Sequence, residues 1–82
     1  IVRIGPQPSS GAATLSLTLA RAETARLTLF DVAGRRRWER ELPGADLAPR
    51  LTIETGALEP GIYLLRLVQA GVQASARLVV AR

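Results

Sequence analysis

Three observations predict an all-β fold, a small antiparallel β-sandwich of six or seven strands. Apolar residues recur at every second position through most of the chain, the period of a strand with one buried face. Clusters of Gly, Pro and Asp interrupt these runs at short intervals, as hairpin turns do. No stretch keeps the period of an amphipathic helix, and only Ala20 to Ala25 has the character of a single helical turn.

The elements follow in order. Residues 1–12 form a Pro-rich lead-in, in which Pro6-Gln7-Pro8 favours extended backbone and Ser9-Ser10-Gly11 a polar turn. Ala13, Leu15, Leu17 and Leu19 then alternate with Thr14, Ser16 and Thr18, and Leu27 and Leu29 with Arg26, Thr28 and Phe30. Asp31-Val32-Ala33-Gly34 suits a type I turn, with the Asp31 carboxylate accepting nearby N–H groups and Gly34 taking the positive φ that closes a bulged hairpin.

That hairpin sets Asp31 against Arg35 and Leu29 against Arg37, leaving Phe30 and Trp38 on the other face beside Arg36 and Thr28. A two-residue turn at Ala33-Gly34 would set Leu29 against Trp38, but would force Ala33 to positive φ, so the bulged version is preferred. It points Arg37 toward the core side, with its head reaching water at the rim.

Pro43-Gly44-Ala45-Asp46 opens a longer loop that ends near Pro49, and Leu51 and Ile53 flank Thr52 in a further strand. Glu59-Pro60-Gly61 fits a type II turn. Tyr63, Leu65 and Leu67 form one row, Ala70-Gly71 a hairpin, and Ala74, Ala76, Leu78 and Val80 the last row. Each fully buried aliphatic side chain is worth about 1.5–3 kcal/mol, so rows of this length can stabilise one two-layer core.

Composition narrows the function classes. The 82 residues are read as a single domain, 1–82. With no Cys, His or Met, the chain lacks disulfide staples, thiolate ligands and the usual neutral-pH general base. No signal-peptide pattern is visible at its start, and Ile1 in place of an initiator methionine leads us to expect a processed product or a piece of a longer protein. No apolar run approaches the ~20 residues that span a bilayer, so direct membrane insertion is not expected.

The net charge of +4 comes from arginine alone as the basic residue, scattered among seven carboxylates with one cluster at Arg35-Arg36-Arg37. That dispersal argues against a nucleic-acid surface. Glu39 and Glu41 lie on an arginine-rich strand and serve to neutralise neighbours, and Ser9 and Ser10 have no histidine to activate them. The dispersed acids do not converge as calcium ligands must. No enzymatic activity, metal or cofactor is therefore expected. Phe30, Arg36 and Trp38 are the candidate interaction surface; the plainer reading is a solvated strand with an arginine stacked on Trp38. Tyr63 reads as a core residue with its hydroxyl bonded at the rim.

In this order and spacing the motifs resemble those of the C-terminal sorting domains of type IX secretion cargo. They are also similar to the immunoglobulin-like module of the flagellar hook-capping family. Pro6-Gln7-Pro8 matches a Pro-Asn-Pro pattern; Asp31, Gly34 and Arg35 match Asp-x-x-Gly-Arg; Leu58, Gly61, Ile62 and Tyr63 match Leu-x-x-Gly-Val-Tyr. Pro60 adds rigidity to the last. Two departures are Gln7, which loses an Asx-type bond, and Arg37, where the pattern has an inward aliphatic residue.

The resemblance implies an immunoglobulin-like, non-catalytic C-terminal domain of a larger secreted or cell-surface protein. Export machinery of the outer membrane would recognise its folded surface and terminal strand, roughly Ala74 to Arg82, and the domain would be cleaved afterwards or kept as an anchor. The alternative is a structural subunit of an extracellular filament, polymerising through strand edges with Ile1-Val2-Arg3-Ile4 as the pairing strand.

Overall fold

The computed structural model describes residues 3–9, 11–44 and 46–80. Seven strands follow in order: β1 (Arg3–Ser9), β2 (Ala12–Thr18), β3 (Ala25–Phe30), β4 (Arg36–Leu42), β5 (Arg50–Glu54), β6 (Gly61–Gln69) and β7 (Val72–Val80). They form a three-stranded sheet, β1-β2-β5, and a four-stranded sheet, β4-β3-β6-β7. Every pairing is antiparallel, and no helix occurs among the described residues. The fold is an all-β sandwich, as the alternation predicts, and of the immunoglobulin-like kind that the resemblance implies.

The core is the set of rows read from that alternation. Ala13, Leu15 and Leu17 of β2 meet Leu27 and Leu29 of β3, Tyr63, Leu65 and Leu67 of β6, and Leu78 and Val80 of β7, all buried. Ile53 of β5 joins them, with Leu51 half-buried beside it. A strand with one wet face and one dry face requires this period of two.

The Pro-rich lead-in is itself a strand. β1 pairs with β2 from Arg3↔Thr18 to Ser9↔Ala12 and sits at a sheet edge, where a proline's missing N–H does least harm to a ladder. The segment expected as a free pairing strand for a neighbouring copy is thus engaged within the chain from Arg3 onward, while Ile1 and Val2 lie outside the described residues. β1 also runs alongside β7 without joining its ladder.

The loop expected from Pro43 to Pro49 carries the chain from one sheet to the other. Its Pro49 and Leu47 carbonyls accept the Leu17 and Leu19 N–H groups at 3.0 and 2.8 Å, so it extends the β2 ladder beyond β5. Asp46 closes it locally by accepting the Ala48 N–H at 2.9 Å, and Ala45 lies outside the described residues.

The structure corrects two local expectations. The Asp31–Gly34 turn forms as read, with the Gly34 N–H donating to Asp31 O at 3.0 Å, the Asp31 N–H to Arg35 O at 3.0 Å, and Gly34 at φ 80°. One residue later the register shifts: Phe30 faces Arg36, but Leu29 faces Trp38. Arg37 is the extra residue of a second β-bulge. Trp38 therefore lies on the core side beside Leu29, and Phe30 lies on the outer face, so the expected pairing of these aromatics on one face is wrong. The bulge removes the cost foreseen for Arg37, whose guanidinium turns to Asp31 at 3.6 Å instead of facing the core.

The second correction concerns Glu59-Pro60-Gly61. Gly61 has φ 155°, far from the value near +80° of a type II turn, and begins β6 opposite Val80. The hydrogen-bonded turn lies earlier, with the Leu58 N–H donating to Thr55 O at 3.0 Å. The last hairpin is a two-residue turn at Ala70-Gly71 between Gln69 and Val72, and it holds Ala70 at φ 48°.

Candidate functional site

Asp31 acts as the turn cap that its position predicts. Its Oδ1 accepts the Ala33 and Arg35 N–H groups, each at 3.0 Å, and its Oδ2 accepts the Arg35 Nε–H at 2.9 Å. With the Arg37 guanidinium at 3.6 Å, the carboxylate is fully employed, and its side chain is only 9% exposed. Removal from bulk water works to raise its pKa. The Arg35 N–H, the Arg35 guanidinium and the Ala33 N–H outweigh that and hold the carboxyl below its ordinary 3.8. Its hydrogen-bond donors come from one tight turn and Arg37 reaches it from β4, which makes it a fold determinant.

Tyr63 is buried, and its hydroxyl donates to the Glu59 carbonyl at 2.7 Å. Leu58 packs half-buried against the core. Together they lash the 55–60 connection to the start of β6, with Pro60 exposed at its tip. Pro6 and Pro8 belong to the β1 backbone opposite Leu15 and Ala13.

Sequence reasoning missed a polar clamp at the opposite end of β6. Gln69 is 2% exposed. Its Oε1 accepts the Ala20 and Arg21 N–H groups at 2.8 and 3.2 Å, and its Nε2 donates to the Arg21 and Glu23 carbonyls at 2.7 and 2.8 Å. One amide thereby bonds the backbone of the β2–β3 connection, where 20–23 is an irregular bend and Ala25 already begins β3, not the helical turn expected from Ala20 to Ala25. The signal was available: Gln69 continues the inward row Tyr63, Leu65, Leu67. A polar residue in such a row must find partners. Gly44 seals the same connection from outside, since a Cβ there would lie 2.6 Å from the Glu23 carbonyl carbon.

The outer face of the four-stranded sheet carries two of the residues expected at an interaction surface. Phe30 of β3 faces Arg36 of β4 on one side and Leu64 of β6 on the other. The Arg66 guanidinium lies 4.7 Å from the Phe30 ring centroid, a cation–π contact. On the β4 side the charges pair internally: Arg26 meets Glu39 and Glu41 at 4.0 and 3.9 Å, and Arg36 meets Glu39 at 3.6 Å. The acids of β4 neutralise neighbours, as expected. A shallow trough of about 580 Å³ runs over Thr28 and Phe30 between these pairs and Arg66.

Of the expected interaction residues, Phe30 and Arg36 share this face and Trp38 does not. Trp38 lines a separate cleft of about 310 Å³ between β4 and β5, with Leu29, Ile53 and Leu58. Arg40 covers its ring at 5.2 Å.

Among the described residues no three His, Cys, Asp or Glu side chains converge as a metal site would require, and no helix is long and apolar enough to cross a membrane. What the fold presents is a set of braced turns and one apolar, arginine-bearing sheet face.

Comparison with known proteins agrees with that character. No curated protein matches the sequence. A family profile does, described as the secretion system C-terminal sorting domain, and it spans residues 3–81, from the first residue of β1 to just past the end of β7. This is a non-catalytic family whose members act as sorting signals in type IX secretion. The match runs through the Pro6-Gln7-Pro8, Asp31–Gly34 and Leu58–Tyr63 motifs, and the chain belongs to the type IX secretion C-terminal sorting domains.

Proposed function

We propose that residues 1–82 are a single sorting domain at the C-terminal end of a larger secreted protein, and that it brings this cargo through the outer membrane to the cell surface. The observation that carries the reading is the family match across residues 3–81. The domain works as a folded shape. Asp31 and Gly34 shape one turn, Leu58, Pro60 and Tyr63 brace the 55–60 connection ahead of Gly61 at the start of β6, and Phe30 and Arg36 contribute to the face offered to the export machinery. The inward-turned Trp38 supports the fold beneath the β4 edge. Surface anchoring of the cargo follows where the domain is retained after export.

The experiment is a fusion of the 82-residue chain to the C-terminus of a periplasmic reporter in a cell with a working type IX system. The reporter is expected at the cell surface or in the medium, and it stays periplasmic when the system is disabled. Periplasmic retention of a reporter carrying a protease-resistant, folded domain overturns the proposal.

A further inference from the structure

The outer sheet face divides electrically into two halves. The β4 half is balanced by its own carboxylates. The β6/β7 half has none, because no Asp or Glu occurs anywhere after Glu59. Arg66, whose guanidinium rests over the Phe30 ring, and Arg77 stand there, both exposed and without a carboxylate partner among the described residues. Around them Ile62, Leu64 and Val79 remain 46%, 45% and 49% exposed. Ile62 faces Val79 across the ladder, Leu64 faces Arg77, and Arg66 faces Ser75. Along the strands the rows therefore read apolar, cationic, cationic, and Val68 makes the next row apolar again.

We infer that this β6/β7 half is a docking surface for an extended, acidic segment of a protein partner, with two carboxylates two residues apart flanked by apolar side chains. The inference rests on the sorting role, since it names the chemistry of the partner at that face. Geometry favours it. Arg66 and Arg77 stand on adjacent strands as diagonal neighbours, about 7–8 Å apart at the backbone. Alternate residues on one side of an extended chain are about 6.6–6.8 Å apart, so two acids in one row match the spacing of the two arginine positions, with Arg66 leaving the Phe30 ring to pair, while their apolar flanks cover Ile62 and Val79 at one end and Val68 at the other.

A nucleic acid or other dense polyanion fits poorly, because two cations release few counterions and the aliphatic side chains between and beside them gain nothing from a phosphate backbone. Exposed apolar patches rimmed by polar residues mark contact surfaces, and Ile62, Leu64 and Val79 adjoin one another here.

The test uses the heptapeptide Leu-Ser-Glu-Ser-Glu-Ser-Leu and a control with both Glu replaced by Gln, each titrated into the isotope-labelled chain at low salt. The acidic peptide is expected to shift the amides of Leu64, Arg66, Ser75 and Arg77, and to bind roughly tenfold more weakly to the Arg66→Gln/Arg77→Gln variant. Equal shifts from both peptides, shifts confined to the β4–β5 cleft, or no shift would overturn the inference. Binding to anionic phosphatidylglycerol vesicles without a peptide response would overturn it too.

The reporter fusion separates the two claims. If the unaltered domain is exported and the double variant is exported equally well, the docking surface is wrong and the sorting role stands. If the unaltered domain is not exported, the sorting role fails, and the peptide titration still decides the surface.

Discussion

Replacing Gln69 with Met keeps most of the side-chain volume and removes four hydrogen bonds at once. Each such bond is worth about 1 kcal/mol net, and each backbone group left dry and unpaired costs about 1–3 kcal/mol. The freed groups belong to an exposed connection between Ala20 and Glu23, and water can reach some of them once the loop loosens. The net loss is therefore about 2–4 kcal/mol, a large part of the roughly 4–12 kcal/mol available to a domain of this size.

Urea unfolding followed by tryptophan fluorescence reads the change directly, and in thermal melts the midpoint is expected to fall by roughly 10–25 °C. Hydrogen exchange supplies the local readout: the Ala20 and Arg21 amides lose their protection first. Gln69→Ala is expected to cost more than Gln69→Met, because it adds a cavity. A Gln69→Met variant within about 0.5 kcal/mol of the parent, or one that keeps normal protection at Ala20 and Arg21, would refute the clamp.

Further predictions concern the turns. The Asp31 pKa is lowered in the folded state, so its stabilisation is complete above the ordinary value of 3.8 and is lost as pH falls through the folded value; thermal melts of Asp31→Asn are expected to lack the part of the acid limb below about pH 4 that this group causes. Ala70 sits at φ 48°, and Ala70→Gly is expected to stabilise by about 1 kcal/mol in urea unfolding; a destabilised variant would contradict this turn. Gly34 and Gly44 both have φ 80°, but a Cβ meets nothing at Gly34 and the Glu23 backbone at Gly44. Gly34→Ala is then expected to cost about 1 kcal/mol and Gly44→Ala at least about twice that, with equal midpoints counting against the close approach. Tyr63→Phe removes the bond to the Glu59 carbonyl and is expected to cost about 1–1.5 kcal/mol, measured by the same unfolding curves.

The rows of the core were legible because leucine at every second position leaves little freedom of register. Leu15, Leu17, Leu27, Leu29, Leu65 and Leu67 stand where that period puts them. Around Arg35 to Glu41 the period fails, since Trp38 is the only apolar residue there. Counting forward from the Gly34 turn put Trp38 on the wrong face; counting back from Leu42, which opposes Ala25, gives the observed pairing with Leu29.

Glu59-Pro60-Gly61 misled for a different reason, because its local propensity is that of a turn but the Glu59 carbonyl is taken by a side chain from β6. The outer face was half legible. Phe30 and Arg36 were found from the aromatic and basic run, whereas Arg66, Arg77 and their aliphatic neighbours come together only through the β6–β7 ladder.

The relation of β1 to β7 has a mechanical consequence. β1 runs from the pole of the Gln69 clamp toward the pole of the Asp31 turn, and β7 runs the same way beside it. Whatever is joined ahead of Arg3 thus emerges at one end of a body 36 Å long, and β7 finishes at the other. Tension between those ends pulls along both strands, loading the β1–β2 and β6–β7 ladders in shear, so that many bonds must break together and the sandwich cannot be unzipped one rung at a time.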